Sequence, residues 1–185
     1  NPSGTNFTGN PAGVSGRNWT TFTNAVSTLI TYGVSGPVTF NVSSATYTDQ
    51  ISLSTISGAS ATNTIVFQSA SGDSSTVTLT SATATSTFNY TVKLNGANYV
   101  TFKKMTISNT NTTYSRVVDI SNGSSYIQFL NNRIIGVATT SIIDQNATIY
   151  SYGSSSYNII KSNRILNGSY GIYDYGSNSS FNGKV

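Results

Sequence analysis

The sequence predicts an all-β solenoid, a single-stranded parallel β-helix built from three-strand rungs of about 27 residues, opened by one capping α-helix. Three observations predict it. Short segments alternating apolar with polar residues return at nearly constant spacing, and the later repeats agree in residue identity as well as in period. Only 8% of the 185 residues are charged, and Ser, Thr and Asn abound. Like charges stacked in register repel one another, so a ladder of rungs favours neutral polar side chains. A β-sandwich also alternates, but gives no reason for Asn-Arg-Ile to recur at fixed register, nor for a single amphipathic helix to come first.

Residues 19–32 form the helical segment. Phe22, Ala25, Val26, Leu29 and Ile30 follow the i, i+3, i+4, i+7, i+8 stripe, so one face is apolar and must cover something. Thr20 or Thr21 is placed to cap its start, and Gly33 to end it in the left-handed conformation. The division expected is therefore 1–36 for an N-terminal extension and capping helix, and 37–185 for the rungs. After Pro37 the chain reads as strands: Val38-x-Phe40-x-Val42, Ile51-x-Leu53, Ile65-x-Phe67, Val77-x-Leu79 and Val92-x-Leu94.

Three series of strand starts carry the period. Val38, Ile65, Val92, Val118 and Ile149 are about 26 to 31 residues apart; Ile51, Val77, Val100 and Ile127 about 23 to 27; Ile107, Ile134 and Ile165 about 27 to 31. Residues 124–134 align with 155–165, and residues 98–107 fit the same frame. That alignment stacks Tyr99, Tyr126 and Tyr157, places Phe102 under Phe129, sets Arg133 beside Arg164, and lays Asn132 over Asn163 as a ladder at a corner, where Asn tolerates left-handed backbone and its amide both donates and accepts. The chain closes on Phe181-Asn-Gly-Lys-Val185, which reads as the start of another rung, so a longer solenoid is expected.

Missing residue types exclude chemistries. Without His or Cys there is no imidazole acid/base, no Ser/His/Asp triad, no thiolate nucleophile and no Cys/His zinc site. The net charge of +4 comes from nine Lys and Arg against five Asp. The basic residues are scattered, with Lys103-Lys104 the one adjacent pair, which argues against a nucleic-acid footprint. No stretch approaches the ~20 apolar residues of a membrane span.

Trp19-Thr-Thr-Phe-x-x-Ala-Val, Gly36-Pro-Val-Thr-Phe-Asn-Val42, Ala45-Thr-Tyr47-x-Asp-Gln-Ile51 and Thr64-Ile-Val-Phe-Gln68 resemble the opening of right-handed parallel β-helix proteins of the pectin-lyase-like superfamily, pectin methylesterases in particular. Ala45 and Asp49 stand where that family often has Gly and Glu. The Ser/Thr/Asn-rich version, with residues 57–65, is similar to β-helix domains of large secreted or cell-surface proteins of type IX-secreting gliding bacteria. The resemblance implies a right-handed coil and an extracellular location. It supplies no catalytic residue: the Gln-Asp-Thr-Leu and Asp-Phe-Ile-Phe-Gly motifs of the esterases are absent, and a His-free chain lacks the Gly-His-Gly of polygalacturonases. Asp49, Asp73, Asp119, Asp144 and Asp174 are dispersed, although coiling brings Asp119 and Asp144 closer, so no metal or other cofactor is expected.

The candidate binding surface is aromatic. Ile149-Tyr150-Ser151-Tyr152-Gly153 and Ile172-Tyr173-Asp174-Tyr175-Gly176 share Ile-Tyr-x-Tyr-Gly, so alternation sends the isoleucines inward and all four tyrosines outward, Tyr150 beside Tyr173 and Tyr152 beside Tyr175. Aromatic faces flanked by polar residues suit sugar rings, and equally a ladder that merely shields the sheet. The same alternation turns Asp174 inward beside Ser151. Thr76-Val-Thr78-Leu-Thr80 invites an ice-binding reading, but with Gln50-Ile-Ser52 and Tyr99-Val-Thr101 as its neighbours no threonine array forms. The expected function is a non-catalytic module of a secreted or cell-surface protein, a rigid stalk or adhesin surface facing glycans or other surface proteins. The alternative is the N-terminal part of a polysaccharide-acting enzyme whose catalytic rungs lie beyond residue 185.

Overall fold

The computed structural model describes residues 19–82 and 84–176. The expected N-terminal extension up to residue 18 and the rung start at Phe181 lie outside them. Within them the chain is a parallel β-solenoid of about five turns. Helix α1 (Phe22–Tyr32) is followed by β1 (Val38–Val42), β2 (Ala45–Thr48) and β3 (Ile51–Leu53) in the first turn. The second turn holds β4 (Ile65–Ser69), β5 (Val77–Ser81) and β6 (Val92–Asn95), and the third β7 (Val100–Lys103), β8 (Thr106–Asn109) and β9 (Val118–Ser121). The fourth holds β10 (Gln128–Leu130), β11 (Arg133–Ile135) and β12 (Ile149–Tyr152), and the fifth β13 (Ile159–Lys161), β14 (Arg164–Leu166) and β15 (Ile172–Tyr175). Every third strand pairs in parallel, giving a first sheet β1-β4-β7-β10-β13, a second β2-β5-β8-β11-β14 and a third β3-β6-β9-β12-β15.

Period-two alternation puts like residues on like inside this coil. Phe40, Phe67, Phe102 and Phe129 stack with centroids 4.4, 5.1 and 5.4 Å apart. Tyr47, Leu79, Ile107, Ile134 and Ile165 line the second sheet, and Ile51, Val92, Val118, Ile149 and Ile172 the third. Two of the three strand series are thereby corrected. The first mixes sheets, since Val38 pairs with Ile65 in the first sheet whereas Val92, Val118 and Ile149 belong to the third. In the other, Ile51, Val77 and Val100 lie on three different sheets. Loops between β4, β5 and β6 lengthen the second turn, and the nearly constant spacing concealed which face each strand occupies.

The threonine neighbours change with the register. Thr78-Leu79-Thr80 lies between Thr46-Tyr47-Thr48 and Thr106-Ile107-Ser108, so hydroxyls do align over three turns. Thr106 is nonetheless buried and donates to the Ser74 carbonyl at 2.7 Å, and Ser108 is bonded to Thr80 at 3.0 Å. Arg133 and Arg164 then end the column.

Single left-handed residues make the corners: Tyr99, Tyr126 and Tyr157 before the first sheet, and Lys104, Asn131 and Ser162 between the first and second. The left-handed Asn is thus Asn131. Asn132 turns its amide inward instead, donating to the Phe102 carbonyl at 2.8 Å and accepting from the Met105 N–H at 3.2 Å, while its own N–H donates to Asn163 Oδ1 at 2.9 Å. Asn163 repeats the bond one turn on, to the Phe129 carbonyl at 2.7 Å.

The helix starts at Phe22, with Thr21 as its cap accepting from the Asn24 N–H at 3.1 Å. Phe22, Ala25, Val26 and Leu29 are buried, whereas Ile30 stands 39% exposed. Phe22 packs against Phe67 and Tyr47, and Trp19 against Phe40, so the helix closes the apolar end of the coil. Gly33 has φ 68° but ψ −164°, outside the left-handed helical region and in one that only glycine occupies readily. A side chain there would meet the Ser57 carbonyl at 2.5 Å.

Asp49 ties helix to coil, accepting from the Phe22 N–H at 3.1 Å and from Thr23 Oγ1 at 2.8 Å. A carboxylate there satisfies a helix-end donor and faces the positive end of the dipole. Asp49→Ala is expected to lower stability by about 1 kcal/mol. Thermal denaturation checks this, and an unchanged midpoint would show that water replaces the cap.

Candidate functional site: the outer face of the third sheet

The third sheet sends two columns outward. One runs Ser52, Lys93, Asp119, Tyr150, Tyr173; in the other, Asn95 pairs with Ser121 and Tyr152 with Tyr175. Small and charged residues thus occupy the early turns and tyrosines the late ones. Tyr150 stacks on Tyr173 and Tyr152 on Tyr175, each with centroids 5.7 Å apart and planes within 3°. Tyr150 and Tyr152 lie side by side at 6.4 Å, so the four rings form two storeys of nearly coplanar pairs. Tyr152 is 45% and Tyr175 56% exposed; Tyr150 and Tyr173 are half-buried. Asp174 pairs with Ser151 on the inward column as expected, within β15, but is exposed rather than buried.

Arg116 organises the charged end. It lies in the connection between β8 and β9, its main-chain N–H fixed by Asn89 Oδ1 at 3.0 Å. Its guanidinium sits 3.4 Å above the centre of the Tyr150 ring, an arrangement that ring quadrupole and planar cation both favour. Its Nε donates to the Asp144 carbonyl at 3.0 Å, Nη2 pairs with the Asp144 carboxylate, and Nη1 lies 3.5 Å from Asp119 Oδ2. Asp119 is buried although it faces outward, because Arg116 covers it and Ser121 donates to Oδ1 at 2.8 Å. Coiling therefore does bring Asp119 and Asp144 together, across one arginine. Among the described residues no three acids converge as a metal site would need.

These neighbours set the tyrosine's state. Burial pushes the Tyr150 hydroxyl above its ordinary pKa; Arg116 opposes this, while Asp144 and Asp119 add to it. The phenol therefore stays protonated through neutral pH, able to donate and accept. Lys93 reaches over the Tyr90 ring at 5.7 Å.

Stacking also decides which ring faces are free. Arg116 and Tyr173 occupy both faces of Tyr150. Tyr152 has Tyr175 on one side; on the other, the preceding turn offers Ser121, too small to cover a ring. The remaining expected ladder, Tyr99, Tyr126 and Tyr157, lies at the edge of the first sheet with centroids 4.6 and 4.9 Å apart, away from this face. Sequence reasoning missed Arg116. Its position 28 residues before Asp144, about one turn, was the available signal, but both lie in connections outside the strand columns. Among the described residues no helix is long and apolar enough to cross a membrane. The chain matches no protein-family model, no curated protein and no solved structure.

Proposed function

We propose that this solenoid is a non-catalytic, rigid module of a secreted or cell-surface protein, of the pectin-lyase-like type, and that the tyrosine face of its third sheet binds glycans. The observation that carries the reading is the Tyr152 ring, 45% exposed and stacked on Tyr175. It is a flat aromatic shelf one turn below Ser121, with the Arg116–Asp144 pair packed on the neighbouring ring. A sugar ring presents polarised C–H groups on one face and hydroxyls at its rim, matching a negative ring face bordered by polar groups. A non-catalytic role fits the engagement of Asp119 and Asp144 by a single arginine. That pairing engages both carboxylates with one guanidinium rather than with a substrate.

Tyr152→Ala is expected to weaken glycan binding about tenfold, and the Tyr150→Ala/Tyr173→Ala pair at least as much, because that stacked column flanks Tyr152 and carries Arg116. A glycan array followed by calorimetry on its best ligands checks this. An array with no ligand, or affinities untouched by these substitutions, would rule the reading out.

A further inference from the structure

We propose a second site, for one neutral hexopyranose ring, at the corner where Tyr99 and Tyr126 meet the outer face of the first sheet. It is independent of the third-sheet face. The first indication is the backbone. Tyr99 and Tyr126 have φ of 58°, and Tyr157 56°. A bulky residue in the left-handed region is strained, which Asn or Gly largely avoids, as at Asn122, Asn131 and Gly123 in this same chain. Aromatic stacking offsets part of that strain, and Tyr99, first in the ladder, has one ring partner instead of two. Its opposite face looks toward Thr64, which the pairing of Ile65 with Val100 sets at the corresponding corner of the preceding turn. A threonine cannot cover a phenol ring.

The second indication is the space beside it. A depression of about 210 Å³ is lined by Ala61, Thr64, Tyr99, Thr101, Tyr126 and Gln128. No lining residue is charged, which selects a neutral ligand. The volume lies below the roughly 300 Å³ at which pockets for larger organic ligands begin, so it takes a single ring. The third indication is unspent hydrogen-bonding capacity. Among the described residues, the side chains of Thr64, Thr101 and Gln128 make no hydrogen bond, whereas Gln68 in the adjacent outward column donates to Asn41 Oδ1 at 2.6 Å. Two hydroxyls and one amide all donate and accept, as ring hydroxyls do, and they border an aromatic face suited to the C–H side of a pyranose. An apolar aromatic ligand would leave these three groups without partners, and an anionic sugar would find no cation among them.

The test is an NMR titration of the intact protein with methyl glucoside, methyl galactoside, methyl mannoside and N-acetylglucosamine, following the tyrosine ring resonances. At least one sugar is expected to shift Tyr99 saturably in the millimolar range. Tyr99→Asn should weaken that binding about tenfold or more while leaving the melting temperature unchanged or raised, because asparagine accepts the corner. Thr101→Val, which keeps the shape, and Gln128→Ala should each weaken it about threefold, and Tyr152→Ala should leave it unchanged. The proposal is overturned if no sugar saturates the Tyr99 resonances, if the shifts are confined to Tyr150, Tyr152, Tyr173 and Tyr175, or if Thr101→Val and Gln128→Ala both bind as the parent does.

Discussion

Phe102→Ala is expected to destabilise the protein by about 3–5 kcal/mol, the range for removing a fully buried aromatic ring. Phe102 is wholly inaccessible to solvent and lies between Phe67 at 5.1 Å and Phe129 at 5.4 Å, in planes within 9° of both. Its loss opens a void that neighbours on adjacent turns cannot fill without leaving their own columns. In a solenoid each turn contacts only the next, so damage in the third turn also weakens the coupling between the helix-capped half and the late turns. Denaturant unfolding should show a lower midpoint and a broader or split transition. Phe102→Leu, which keeps much of the volume, should cost under about 1.5 kcal/mol. A loss that small for alanine would mean that the aromatic column collapses freely and is not a rigid spine.

Asn132→Ala should cost about 2–4 kcal/mol although it removes few atoms. The amide is buried and serves both the Phe102 carbonyl, within the first sheet, and the Met105 N–H, at the corner beyond it. Each buried backbone group left without a bond costs about 1–3 kcal/mol. Asn132→Asp separates the two halves of the interaction. A carboxylate still accepts from Met105 but cannot donate to Phe102, and burial raises its folded-state pKa above the ordinary value of about 3.9. Its contribution is therefore fullest below that ordinary value and is lost as the pH rises through the raised one. Melting curves should place the variant nearest the parent in acid and furthest from it at neutral pH. A deficit independent of pH would show that the side chain reorients to water.

How much of this was legible in the sequence depends on whether identity or period carried the signal. Where residues repeat as words, Asn-Arg-Ile or Ile-Tyr-x-Tyr-Gly, the columns read correctly: Tyr126 stacks on Tyr157, Arg133 pairs with Arg164, Tyr150 with Tyr173. Where only alternation was available, the face could not be read, because any of the three sheets accepts apolar-polar-apolar. Val77 was thus set beside Ile51 and Val100 when its partner is Ala45. The four tyrosines of the third sheet were legible for the same reason as the other words. Arg116, which bridges Asp119 and Asp144, was not, since it belongs to a connection whose length differs from turn to turn. Nor was the role of Asp49, whose partners Phe22 and Thr23 lie 27 and 26 residues earlier, the first donating a main-chain N–H that almost any residue would supply and the second its hydroxyl.

The helix packed on the first turn closes that end of the coil. A parallel stack is a template: each turn offers the next a matching row of donors, acceptors and side-chain columns, and a second chain could dock there as readily as the chain's own continuation. Trp19 and Phe22, lodged against Phe40, Phe67 and Tyr47, occupy that template at one end. That tip is therefore like the blocked end of a filament, and coaxial addition through it would first require prising away the plug.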